Sequence, residues 1–534
     1  MTDDRFSSVL DRSSLVLTGY MGTGKTTVGR IVAQKLGREF VDMDALIEER
    51  EGQSVRELFE RHGEEYFRAR ESQTCAELGK RVNLVIATGG GALLHPKNRA
   101  AFANAQIICL DASPDAILAR LRDSLDRPLL ASPSPRARIQ ELLDERAEAY
   151  RQIQHHVATT NKSLDEVAEE IIALYQTKKI RVTLADGAYS IHIGANLLSQ
   201  VGALAANLDG APFSKRCAIM TNPQIGKLHA SPVLDSLRAQ GFAPTVIEIP
   251  EGEQFKTLDT VRMVYDQLID AQLDRRSIIF ALGGGVVGDV AGFAAATFLR
   301  GVNFVQMPTT LLAMVDASIG GKVAVDHPRG KNLIGAFKQP LAVIADTNTL
   351  ATLPNAELRS GMAEVVKHAM VGDPGLFEQI ENRDWRLEIR DWLTRAIQVK
   401  VNIVVRDPFE RGERAKLNLG HTFGHALEKL SNYEMRHGDG VAIGLVCAAR
   451  MASRRKMCDA QLSTRIENLL LAIGLPTRIP SAMATDEIIA AMGMDKKRVD
   501  ARLRFLLPCA LGNVEIVDDV TRDEIGATIE ETRE

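Results

Sequence analysis

The sequence predicts two α/β assemblies in one chain, the second of them ending in a mainly helical domain. Three observations point there. A complete P-loop, Gly19-Tyr-Met-Gly-Thr-Gly24-Lys25-Thr26, opens a region where short apolar runs alternate with amphipathic helical patterns. A second alternation starts at Ile180 and contains a Gly-rich strand-to-helix turn, Ala281-Leu-Gly-Gly-Gly-Val-Val-Gly-Asp289. After Leu350 strand signals largely stop and helical periodicity dominates. The expected fold is a P-loop parallel sheet over 1–176, a linker at 177–179, a Rossmann-like α/β nucleotide-binding domain over 180–346, and a helical metal and substrate domain over 347–534.

Composition narrows the function classes. At 534 residues the chain is too long for one core. A net charge of -4 gives no electrostatic reason to expect nucleic acid or a membrane surface as partner. The six cysteines (75, 109, 217, 447, 458 and 509) are scattered without a CxxC, which argues for a reducing compartment and a cytoplasmic location. The opening Met-Thr-Asp-Asp-Arg is acidic and is not expected to be a signal peptide. Ser277 to Leu299 is long enough for a membrane span and carries one charge, Asp289. Its five glycines favour strand, turn and helix instead, and a lone Asp near a span centre is costly.

In the first region, Leu15–Thr18, Glu39–Asp42, Asn83–Ala87 and Gln106–Leu110 read as strands of a parallel sheet. Ser163-Leu-Asp-Glu166 is a capping box that opens a helix running to about Tyr175. Asp123 to Pro135 is polar and Pro-rich, as expected of a mobile flap. In the second region, Ile180–Leu184 and Tyr189–Ile193 flank Asp186-Gly187, a hairpin signal. Further strands are expected at Cys217–Met220, Thr245–Ile249, Ser277–Leu282 and Phe304–Met307. No internal repeat relates the halves.

The P-loop implies phosphoryl transfer. Its backbone N–H groups cradle phosphates, Lys25 reaches the β- and γ-phosphates, and Thr26 ligates Mg2+. Gly22, Gly24 and Thr27 complete the expected ATP contacts. Asp42 and Asp44 are read as the end of the second strand, where period-two spacing puts them on one face. One would serve the metal and the other a substrate hydroxyl.

GYMGTGKTT, VDMD, Phe67-Arg68, Thr88-Gly-Gly-Gly91, Arg127-Pro-Leu-Leu130 and Arg146-Ala-Glu-Ala-Tyr150 together resemble shikimate kinase over nearly all of 12–175. The resemblance implies that Asp44, Arg68, Gly90, Gly91 and Arg146 bind shikimate, the arginines pairing with its carboxylate. Asp44 would also serve as base, and Asp42 would position Mg2+ through water. Arg127 would close over the transferring phosphate, and Arg120 would stack on adenine.

The second chemistry lies in Asn418-Leu-Gly-His421-Thr-Phe-Gly-His425-Ala-Leu-Glu428, followed by His437. Histidines at i and i+4 share a helix face and can chelate one ion, although many such pairs are only surface residues. With Glu364, two histidines and water would suit a catalytic Zn2+. Asp316, Lys322, Lys331 and Asn332 lie in segments read as Gly-rich loops suited to an anionic polyhydroxy substrate. Arg300, Lys400 and Arg414 add cationic groups.

PEGEQFK, GGGVVGD, PTTLLAMVDASIGGK, GKNLIGAF, GMAEVVKHA, KLNLGHTFGHALE, HGDGVAIG and MDKK closely resemble 3-dehydroquinate synthase over about 180–530. The resemblance implies an NAD- and Zn2+- or Co2+-dependent enzyme, commonly a homodimer. It would convert 3-deoxy-arabino-heptulosonate 7-phosphate to 3-dehydroquinate. Glu364, His421 and His437 would bind the metal, and His425 would transfer a proton or contact phosphate. Asp316, Lys322, Lys331, Asn332, Lys367, Lys400, Arg414, Asn418 and Lys496 would contact substrate, and Arg300 its phosphate. Asn222, Glu253, Lys256, Gly284, Gly285, Asp289, Thr309 and Thr310 would hold NAD. Rival readings are a cyclase of another sugar phosphate and a non-catalytic, nucleotide-sensing first half. Arg414 and Asn418 favour a carboxylate substrate, and Asp42, Asp44 and Arg127 favour an active kinase.

Overall fold

A computed structural model describes residues 14–103, 105–121, 134–153, 155–185, 187–208, 210–382, 385, 389–493 and 503–534. The chain divides into two compact units that meet between Thr177 and Lys178.

The first unit has strands β1 (Leu15–Gly19), β2 (Glu39–Asp42), β3 (Leu84–Ala87), β4 (Gln106–Asp111) and β5 (His155–Ala158). They form one parallel sheet in the order β2-β3-β1-β4-β5. Strands β1 and β3 are buried at every position, which their continuous apolar runs dictate in a sheet covered on both faces. The helix Lys25–Leu36 follows β1 directly, through Gly22 and Gly24 at φ 76° and 96°. Those left-handed positions favour glycine. The capping box at Ser163 forms as expected and starts the helix Leu164–Gln176.

The strand β2 stops at Asp42, not Asp44. The Asp42 side chain accepts from the Asp44 and Ala45 N–H groups and so caps the helix Met43–Glu51. Asp44 therefore lies in a helical first turn, and the period-two argument does not apply to it. The flap expected over Asp123–Pro135, with Arg127, falls largely outside the described residues; the helix Pro135–Arg151 begins at its end.

The second unit has β6 (Lys178–Leu184), β7 (Gly187–Gly194), β8 (Arg216–Thr221), β9 (Ala243–Glu248), β10 (Ile278–Gly283), β11 (Asn303–Pro308), β12 (Lys322–His327), β13 (Gly330–Phe337), β14 (Ala342–Asp346), β15 (Phe505–Ala510) and β16 (Asn513–Val517). Seven of these form a sheet in the order β6-β7-β14-β11-β10-β8-β9. Only β6 runs antiparallel in it. Lys178 and Lys179, expected in a linker, already pair with Ile193 and His192. The chain leaves β8 toward one edge and β10 toward the other. The ends of β8 and β10 thus flank a topological switch point, where open α/β sheets bind ligands. The apolar stretch from Ser277 resolves into β10 and the helix Gly285–Thr297, and no helix among the described residues is long and apolar enough to cross a membrane.

Two hairpins correct the sequence reading. The segments taken as Gly-rich loops around Lys322 and Asn332 are the antiparallel pair β12–β13. A second pair, β15–β16, interrupts the region read as helical. In both, the alternation of Val, Ile, Leu and Phe with polar residues is short and broken by Gly or Pro.

Helices Asn355–Gly372, His421–Leu430 and His437–Arg454 pack backbone to backbone. A Cβ on Gly444 would lie 1.9 Å from the Gly420 carbonyl oxygen, and one on Gly438 would lie 2.1 Å from that of Ser360. A Cβ on Gly424 would lie 2.9 Å from the Gly440 carbonyl. Gly444→Ala is therefore expected to force these helices apart and destabilise the second unit by about 1–3 kcal/mol or more. Calorimetry of the full chain checks this; an unchanged unfolding transition for that unit would contradict the packing.

Candidate active sites

In the first unit, Lys25 Nζ donates to the Gly19 and Tyr20 carbonyls at 2.8 and 3.0 Å, folded onto its own loop. Thr26 Oγ1 donates to Asp42 Oδ2 at 2.7 Å, so the hydroxyl and carboxylate expected near Mg2+ are adjacent. Arg120 donates to the Gly22 carbonyl at 3.2 Å and to Thr159, which ties it to the P-loop. Thr27 is exposed.

Across from the P-loop, Arg146 and Tyr150 both donate to the Gly90 carbonyl, at 3.2 and 2.7 Å. Arg68 bridges Glu71 at 2.7 Å and Glu64 at 3.1 Å. A Cβ on Gly91 would strike the Arg68 guanidinium, and one on Gly89 would strike Asp44 and Glu71. The glycines thus let charged groups close on one small space. Burial, then the neighbouring Asp42 carboxylate, raises the Asp44 pKa above the ordinary value. One oxygen each of Asp44 and Glu71 is buried without a hydrogen-bond partner, a pair of acceptors that ligand hydroxyls could satisfy.

In the second unit, the three close helices bring Glu364, His421 and His437 together, with one potential ligand atom from each lying within 4.8 Å of the others. His421 Nε2 and His437 Nε2 stand 3.5 and 3.3 Å from Glu364 Oε1. Neither Glu364 oxygen has a hydrogen-bond partner, although the carboxylate is fully buried and Lys367 forms an ion pair with it. A buried carboxylate left this way is costly, and a divalent cation would satisfy it. His421 Nδ1 faces the Leu419 carbonyl at 3.1 Å, and His437 Nδ1 faces Glu428 at 2.9 Å. Both contacts turn Nε2 toward Glu364, as outer partners orient metal-binding imidazoles. The residues fit a Zn2+- or Co2+-sized ion.

Burial opposes charge on His437, but the Glu364 and Glu428 carboxylates beside it push its pKa up to about 10. Burial and Lys367 hold His421 well below its ordinary value. His425 is exposed, its ring 5.0 Å from that of His421, on the outer side of the cluster.

Beside this cluster, Lys400 Nζ meets Asp316 Oδ1 at 2.5 Å, on a π-helical turn over Ala313–Ala317. Burial pulls the Lys400 pKa down to about 8, against the pull of Asp316. Arg414 is buried and donates to the Gly320 and Pro408 carbonyls. Lys322 pairs with Glu410, which also accepts from Asn418 at 3.1 Å. Arg300 is exposed, in a left-handed run from Leu299 to Gly301, and the structure does not bring it to these residues. Lys496 lies outside the described residues.

At the switch point, Asn222 follows β8 and caps the next helix by accepting from the Ile225 N–H. Gly284 and Gly285 begin the helix after β10, presenting its N-terminus. The Thr309 hydroxyl is buried without a partner, and Thr310 accepts from Ala313 N–H. Lys256 is buried and pairs with Asp289 at 2.6 Å, and Glu253 lies nearby. Burial raises the Asp289 pKa to about 6, against Lys256. An orphan hydroxyl, a helix N-terminus and a Gly-rich turn fit a dinucleotide.

Sequence reasoning missed Glu410, Glu428 and His368. Glu410 sits at φ 57° in a loop, which no sequence pattern announces. Glu428 stands three residues after His425 in the quoted motif, and that spacing was a usable signal. His368 is fully buried next to Asp316 and Glu364, with its pKa driven down to about 3 by burial.

The shikimate kinase family model matches residues 21–176, and the 3-dehydroquinate synthase N-terminal and C-terminal models match 246–360 and 361–498. A 3-dehydroquinate synthase of Desulforamulus reducens is 45% identical over 359 residues, covering 66% of this chain and 99% of that protein. One from Geobacter metallireducens is 47% identical, covering 63% and 95%. Among solved structures, 2-epi-5-epi-valiolone synthase from Streptomyces hygroscopicus, with NAD+ and Zn2+ bound, is 27% identical with a TM-score of 0.59, covering 64% of this chain and 96% of that one. A 2-deoxy-scyllo-inosose synthase complexed with carbaglucose-6-phosphate, NAD+ and Co2+ is 25% identical with a TM-score of 0.61, covering 66% and 100%.

The raised His437 pKa has a consequence for metal binding. Below about 10 the metal-free imidazole carries a proton that a cation must displace. Zn2+ binding at neutral pH should therefore release about one proton from His437, and affinity should weaken as pH falls. Calorimetry in buffers of different ionisation heat measures this, and binding without proton release would contradict it. Glu428→Gln should weaken Zn2+ binding by about 10- to 100-fold in a chelator competition.

Proposed function

Because the chain belongs to the 3-dehydroquinate synthase family and carries a shikimate kinase domain ahead of it, we propose that it catalyses two steps of aromatic biosynthesis. The first unit would phosphorylate shikimate, and the second would cyclise 3-deoxy-arabino-heptulosonate 7-phosphate to 3-dehydroquinate. The observation that carries the reading is the pair of unlike sites: a P-loop facing Asp44, Arg68 and Arg146, and a Glu364–His421–His437 cluster beside Lys400 and Asp316.

ATP with Mg2+ would supply the phosphoryl group. The P-loop N–H groups and Lys25 bind its phosphates, and Thr26 with Asp42 position the metal. Arg68 and Arg146 hold the acceptor's carboxylate against the Gly89–Gly91 turn. Asp44, with its pKa raised by burial, takes the proton of the attacking hydroxyl. Arg127, which lies outside the described residues, would add positive charge to the transferring group, as the resemblance implies.

In the second unit, NAD would take up and return a hydride, and Zn2+ or Co2+ would acidify the hydroxyl being oxidised. Asn222, Glu253, Lys256, Asp289, Thr309 and Thr310 hold the dinucleotide at the switch point, with Glu253 accepting from ribose hydroxyls. Lys400 forms an ion pair with Asp316 beside the metal ligands, and burial, which pulls its pKa down to about 8, leaves it able to give up a proton near neutral pH. Arg414, Asn418, Lys322, Lys331 and Asn332 bind the anionic substrate, and Lys367 and Lys496 add charge. Glu410 sets the Lys322 and Asn418 side chains. His425, exposed at the rim, moves a proton or contacts phosphate. Arg300 would contact the substrate phosphate, and the second unit would form a homodimer. The cytoplasm supplies both nucleotides.

Shikimate-dependent ADP formation and phosphate release from the heptulosonate phosphate, both assayed on the full chain, test the reading. Lys25→Ala should lower the first by at least about 100-fold, and His421→Ala the second, each leaving the other intact. Phosphate release without shikimate-dependent ADP formation would overturn the kinase assignment.

A further inference from the structure

Asp326 was not among the residues singled out by sequence, yet two that were, Lys256 and Asn332, meet around it. It sits where the β12–β13 ladder is irregular: Val325 pairs with Ile334, and His327 with Gly330. Residues 331–333 therefore stand opposite Asp326 alone. An irregularity of this kind re-aims side chains, often beside active sites.

Asp326 grips both sides of the NAD and substrate region. Its backbone N–H donates to the Lys256 carbonyl at 2.7 Å, and Thr257 forms an isolated parallel bridge with it. Its Oδ1 accepts from the Asn332 N–H at 2.7 Å. Asn332, held at φ 55°, in turn accepts from Lys256 Nζ at 2.5 Å through its own side chain. The three residues close a ring of hydrogen bonds, and Lys256 extends it to Asp289 at 2.6 Å. Without the Asp326 acceptor, the Asn332 N–H loses that partner, and within the ring only the side-chain bond to Lys256 still fixes Asn332.

Resting on the synthase reading above, the geometry points to Asp326 as a positioning residue. It locks the hairpin that carries Lys331 and Asn332 onto the loop that carries Glu253 and Lys256. It touches neither cofactor nor substrate itself in this account. It sets the distance between the groups that do, and the bond to the Asn332 N–H does this, not the carboxylate charge.

That distinction gives the test. Asp326→Asn keeps an oxygen acceptor and loses the charge. Asp326→Ala loses the acceptor, and Asp326→Glu keeps the charge but moves the oxygen by one methylene. On the full chain, the Ala and Glu variants should each raise the NAD dissociation constant and the heptulosonate phosphate KM by about five- to tenfold. The Asn variant should stay within about threefold of the original chain. The thermal unfolding transition of the second unit in the same samples reports the amount of folded protein. Wild-type affinity and KM in the Ala and Glu variants would overturn the inference, as would an Asn variant as impaired as the Ala one. If the Ala variant fails to fold, the Glu–Asn comparison alone decides. Absence of phosphate release from the unmodified chain would instead overturn the functional reading.

Discussion

The second unit depends on one close approach. Three helices touch backbone to backbone, at Gly420 and Gly444, at Gly424 and Gly440, and at Gly438 and Ser360, and this contact closes His421 and His437 around Glu364. With side chains at those glycines the helices would stand farther apart, and the carboxylate would face solvent or apolar packing. Glu364 is instead sealed in with neither oxygen hydrogen-bonded. That arrangement is unfavourable by itself, since taking a carboxylate out of water costs several kcal/mol. The unit tolerates it because Lys367, two imidazoles and, on the proposed reading, a cation supply compensating charge.

The first unit solves a different problem. In its P-loop the glycines serve positive φ, not helix contact, as the proposed binding of phosphates by backbone N–H groups requires. Its charged side chains also work in opposed sets. Arg68 and Arg146 face the Gly90–Gly91 turn, while Asp44 and Glu71 crowd Gly89. A polyhydroxy carboxylate suits such a space, with its acid end toward the guanidinium groups and its hydroxyls toward the carboxylates. Each chain carries one unit of each kind, so synthesis sets them in equal number. The two proposed steps are not consecutive, and direct transfer of product between the sites is not implied.

Much of this was legible in the sequence because the determinants are local. The P-loop, the strand-turn-helix at Ala281–Asp289 and the helical start at His421 each lie within about ten residues, and each folds as its pattern dictates. The metal cluster was legible as residue types, but the reason it closes, the glycine contacts, is tertiary. Asp44 was misplaced because a strand end and a helix start overlap at Val41–Asp44, and the cap at Asp42 decides between them. The hairpins β12–β13 and β15–β16 were missed because their alternation is short and broken by Gly or Pro. Glu410 and Asp326 act through loop conformation and ladder irregularity, which depend on contacts between segments far apart in sequence.

The most direct test of the close-packed carboxylate is anomalous diffraction at the zinc edge on crystals of the full chain grown with Zn2+. The account requires one strong peak in the second unit, coordinated by Glu364, His421 and His437 Nε2, with His437 Nδ1 still on Glu428. A peak held instead by His425 and Glu428, or none while Glu364 stays buried, would contradict it.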